Sequence, residues 1–70
     1  MSYIIRANPG PNAVGEPPTY WVPTHDDSYT RTGNIANAIE RGFQTESEAR
    51  AFMDAQGVAP GEANEIIRVP

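Results

Sequence analysis

Apolar residues recur at every second position near both ends of the chain and at spacings of three and four in between. The clearest signal lies in residues 43–57, FQTESEARAFMDAQG. Thr45 is followed three positions later by Glu48, the spacing of a capping box. In that motif the hydroxyl accepts from the N3 amide and the carboxylate reaches back to the cap. Ala49, Phe52 and Met53 then form one apolar stripe, while Glu46, Arg50 and Asp54 fall on the opposite side. Gly57 supplies a left-handed stop and Pro60 prevents resumption, so the spacing predicts a helix over residues 46–56.

The remaining elements follow from period and punctuation. Residues 2–7, SYIIRA, read as a strand with Tyr3, Ile5 and Ala7 on one face and Ile4 and Arg6 on the other. Residues 8–18 hold four prolines and two glycines and form a long loop. A second strand over 19–22, TYWV, is closed by Pro23 and suits a sheet edge. The polar stretch 24–33 reads as a second loop. Asn34 caps a short helix over 35–41 with Ile35, Ala38 and Ile39 as its stripe, and Phe43 plugs the junction with the main helix. Residues 65–69, EIIRV, close the chain as a third strand. The predicted fold is α+β and two-layered: a three-stranded antiparallel sheet of order 2-1-3, with both helices on one face.

Seventy residues make one domain, whose small core leaves about 3 to 5 kcal/mol of net stability. With no cysteine, disulfide and zinc-thiolate frameworks are excluded, and with no signal-like start or spanning segment a cytoplasmic location is expected. A net charge of −4 argues against a nucleic-acid partner. No membrane partner is expected either.

Candidate chemistry is sparse. His25, Asp26 and Asp27 are the only base and carboxylates in one cluster, but on extended backbone only His25 and Asp27 converge, too few for a metal site. The chain has one histidine and no glycine-framed nucleophile, and its glycines form no phosphate-cradling run. Neither an enzyme nor a cofactor is therefore expected. The acidic residues Glu40, Glu46, Glu48 and Asp54, with Glu62 and Glu65 nearby, are interrupted by Arg41 and Arg50 and read as a solvated helix face.

The binding candidates come from the sheet. With both helices on one face, the other is left open, and placing the arginines outward puts Ile4, Arg6, Ile66 and Arg68 on it. Trp21 joins them as a half-exposed anchor beside the 24–32 loop, with Tyr20 and Val22 turned inward. Trp21, His25, Tyr29 and Arg31 form the second candidate group, able to stack on and ion-pair with an aromatic anion such as a nucleotide.

Tyr20 and Trp21, followed by Phe43, Thr45, Glu48, Ala49 and Phe52 and a closing strand, resemble a pattern in small accessory proteins of phages and mobile elements. That resemblance implies the fold above and an accessory role, such as inhibiting a host defence complex or sequestering a signalling nucleotide. It carries no site, because every matching residue belongs to the scaffold. Three functions are expected in order: a non-enzymatic protein that occupies a host protein, a small-ligand binder, and a homodimer formed through the open sheet face.

Overall fold

A computed structural model describes residues 2–10, 12, 15–24, 26, 28–61 and 63–70. The elements run β1 (Ser2–Ala7), β2 (Thr19–Pro23), β3 (Tyr29–Thr32), α1 (Ile35–Glu40), α2 (Glu46–Ala55) and β4 (Asn64–Val69). The sheet has four strands, all antiparallel, in the order β3-β2-β1-β4. The centre of the expected order survives, with β1 between β2 and the closing strand. The correction is an added strand outside β2, where residues 24–33 were expected to be loop throughout.

The helices lie on opposite faces, which overturns the two-layer expectation. Register pairs Ile5 with both Trp21 and Ile66, and Ile4 with Ile67, so these two groups occupy opposite sides of the sheet. Ala49 and Met53 of α2 are buried with Ile5, Ala7 and Trp21, whereas Ala38 of α1 is buried with Ile4, Tyr20 and Val69. The α2 side is called face A below and the α1 side face B. Adjacent isoleucines in β1 and β4 thus serve two cores, one on each face, and the strands are apolar on both sides.

The chain passes from one face to the other at Phe43. Tyr3 exchanges both backbone bonds with Phe43, each 2.8 Å, on the side of β1 that β2 occupies further along. Continuing the β1–β2 register would set Pro23 opposite Tyr3, and proline has no N–H to donate there. Phe43 takes that position, and the linker between the helices crosses the sheet in the gap. Gly42 makes the passage possible: a Cβ there would stand 3.1 Å from Ser2 Cβ, Ser2 Oγ and the Tyr3 carbonyl oxygen. The Phe43 ring then packs on Phe52 at 5.3 Å between centroids.

The main helix is built as its sequence indicates. Glu48 N–H donates to Thr45 Oγ1 at 3.1 Å, worth about 1 kcal/mol. The Glu48 carboxylate accepts from Gln44 N–H at 3.4 Å, one residue before the expected return to the cap. At the other end Gly57 has φ +71°, Gly57 N–H donates to the Asp54 carbonyl, and Val58 N–H to the Met53 carbonyl, closing a Schellman motif. Met53 and Ala49 are fully buried while Phe52 is half-buried, so the contact with the sheet is centred on Met53. In α1 only Ala38 of the expected stripe is buried; Ile35 and Ile39 stay exposed.

Candidate functional site

Neither helix covers the whole sheet. On face A, α2 packs chiefly on β1 and β4, leaving the β2–β3 half without a helix above it. That half carries Trp21, Tyr29 and Arg31, brought together because Trp21 and Arg31 are direct cross-strand partners and Tyr29 lies two residues away.

Trp21 is 5% exposed, which corrects the expectation of a half-wet anchor. Its indole N–H donates to Asn64 Oδ1 on β4 at 3.1 Å. Strands β2 and β4 stand two spacings apart, about 9.6 Å, so the ring lies across β1, where Ala7 offers only a methyl group. From the other side Tyr29 packs on the indole at 4.4 Å between centroids, tilted by 47°. The Arg31 guanidinium lies over the same ring, 4.4 Å from its centroid. Trp21 is therefore a platform, and the surface it supports is made by Tyr29, 41% exposed, and by Arg31. No described carboxylate forms an ion pair with Arg31. A cleft of about 300 Å³ runs beside Arg31 between Thr19 and the loop residues Asn8, Pro9, Glu16 and Pro17.

The expected apolar strip does not form. Ile4 is 1% exposed beneath α1, and Ile66 sits on the opposite face, packed against the α2 core. Arg6 is on face B, where its Nη2 donates to Glu65 Oε2 at 2.6 Å, an exposed pair worth at most about 1 kcal/mol. Arg68 pairs across β1 with Tyr3, on face A. The reason is register: Ile4 aligns with Ile67, not Ile66, so the arginines of β1 and β4 point to different faces. His25 and Asp27 lie outside the described residues. Asp26 is fully exposed; the Thr24 hydroxyl, and then a backbone N–H, hold its carboxyl below the usual range.

Among the described residues no three His, Cys, Asp or Glu side chains converge as metal ligands, and no helix is long and apolar enough to cross a membrane. What this surface offers is an exposed phenol and a guanidinium held on a buried indole. Of the expected group Trp21, His25, Tyr29 and Arg31, the structure brings Trp21, Tyr29 and Arg31 into contact, and residues 29–32, expected to be loop, form a strand; the alternation of Tyr29 and Arg31 with threonines was the signal for it. Comparison with protein-family models, curated proteins and solved structures finds no match to this chain.

Proposed function

We propose that this is a non-enzymatic binding protein that acts by contacting another protein through Tyr29 and Arg31 on the β2–β3 half of face A. The observation that carries the reading is the stack of both residues on buried Trp21. Tyrosine, arginine and tryptophan are the residues most enriched at the energetic centres of interfaces, and two of them here are exposed with their conformations already restricted. Restriction before contact lowers the entropy lost on binding.

The resemblance to accessory proteins of phages and mobile elements supports a host protein, such as a defence component, as the contacted partner. A nucleotide-like ligand is the second choice, because the cleft beside Arg31 is also lined by Glu16, whose carboxylate repels an anion. The test is capture from a lysate of the natural host with immobilised protein. The wild type and an Ile39→Ala control on the far face should retain the same partner, and Tyr29→Ala/Arg31→Ala should lose it while remaining folded. Equal retention by all three would remove this surface from the function.

A further inference from the structure

We propose that the protein pairs with a second copy of itself along the outer edge of β3, about a two-fold axis through Thr30. The sheets of the two copies would then run on as one. Three observations converge on this edge.

The first is the direction of its backbone groups. Thr24 N–H donates to the Ser28 carbonyl at 3.1 Å, so Ser28 turns toward β2. By alternation Thr30 and Thr32 do the same, and Tyr29 and Arg31 turn their N–H and C=O outward. No described residue bonds to those outward groups. The second is the absence of a guard among the described residues. Edge strands are usually blunted by a charged side chain reaching past the edge. Here the Arg31 guanidinium and the Tyr29 ring both lean back onto Trp21, so neither of these side chains reaches past the edge.

The third is chemical self-complementarity. A two-fold axis normal to the sheet must pair residues that share a face, so the centre falls on Tyr29, Thr30 or Arg31. Centring on Arg31 sets two cations opposite each other, and centring on Tyr29 uses the outward groups of that residue alone. Centring on Thr30 sets Tyr29 of each copy opposite Arg31 of the other. Both outward residues then exchange N–H···O=C bonds in full. On face A this adds a tyrosine–arginine contact of the type already present between Trp21 and Arg31. On face B it sets Thr30 against Thr30, a favourable cross-strand pair. The edge of β4 is less available: the Asn64 carbonyl already accepts from Gly61 N–H, and Pro60 and Gly61 flank the strand.

Three residues of β3 pair in each copy and bury little surface, so the dimer is weak, with a dissociation constant on the order of 0.1 mM. The pairing would place two Tyr29–Arg31 surfaces side by side on face A. It stands or falls independently of any other protein partner, since it is measured on this chain alone.

Sedimentation equilibrium from about 10 µM to about 1 mM should show a monomer–dimer equilibrium in the wild type. Thr30 is exposed, and it alone opposes itself across the axis. Thr30→Lys and Thr30→Glu should each weaken association at least about tenfold, by setting like charges face to face. An equimolar mixture of the two should restore it. Amide exchange supplies a readout that needs no variant: protection of Tyr29 and Arg31 N–H should rise with protein concentration. A wild type that stays monomeric at about 1 mM, variants that associate unchanged, or a mixture no tighter than its components would each overturn the pairing.

Discussion

Replacing Trp21 with phenylalanine tests the platform, because it keeps an aromatic ring but removes the group that reaches across β1. The hydrogen bond to Asn64 Oδ1 is lost, worth about 0.5 to 1.5 kcal/mol. The smaller ring leaves a void in the α2 core at a cost of about 1 kcal/mol, and a weaker cation–π contact with Arg31 adds about 0.5 kcal/mol. The sum, about 2 to 3 kcal/mol, takes up much of the roughly 3 to 5 kcal/mol available to a chain of this size. Thermal unfolding followed by circular dichroism should therefore show a midpoint lowered by at least about 10 °C. A double-mutant cycle with Asn64→Ala isolates the hydrogen bond, and the two changes should couple by about 0.5 to 1.5 kcal/mol. In the wild type, emission from the single tryptophan should be blue-shifted and resist acrylamide. Coupling below about 0.3 kcal/mol, or a red-shifted and readily quenched emission, would refute the placement of the indole across β1.

Three further outcomes are expected. Gly42→Ala should cost about 1 to 3 kcal/mol in chemical denaturation, since its methyl group meets Ser2 and the Tyr3 carbonyl at the point where the linker crosses the sheet. Met53→Ala should cost more than Phe52→Ala, about 2 to 5 kcal/mol for the fully buried methionine, and leave the domain largely unfolded; the reverse order would misplace the face of α2. Asp26 has a folded-state pKa below its ordinary value of 3.8. Its contribution to stability is accordingly full above that value and fades as pH falls through the folded pKa. Thr24→Ala should bring the Asp26 titration, followed by carboxyl NMR shifts, back toward the ordinary value.

The parts of the fold that were legible are those whose local chemistry is unambiguous. The Thr45–Glu48 box and the Gly57 stop fix α2 at both ends, and Asn34 caps α1 with its side chain on Ala36 N–H. β3 was hidden because its four residues are polar and bury nothing beneath a helix on face A, so no apolar alternation marked it. Both helices were expected on one face, with the arginine-bearing positions and Ile4 turned outward. Consecutive isoleucines in both β1 and β4 instead meet the requirement of a sheet covered on both sides, the inference that would have placed Trp21 correctly. Trp21, Tyr29 and Arg31 come together because β2 and β3 are consecutive and paired, so their contacts are local in sequence. The grouping of Ile4, Arg6, Ile66 and Arg68 depended on long-range register, which shifts by one residue without leaving any local trace.

The central position of β1 bears on when this protein can fold during its synthesis. Its two neighbours are β2, close behind it, and β4, more than fifty residues later, with Arg6 and Glu65 in direct register. Until Val69 has left the ribosome, Ile4 and Ile5 have no strand on that side and the α2 core lacks Ile66. Folding is then governed by a long-range closure, slower than for a helical chain of equal length. Until that closure the Ile-Ile strand of β1 lacks its partner on one side, and such a segment is one for which chaperones compete.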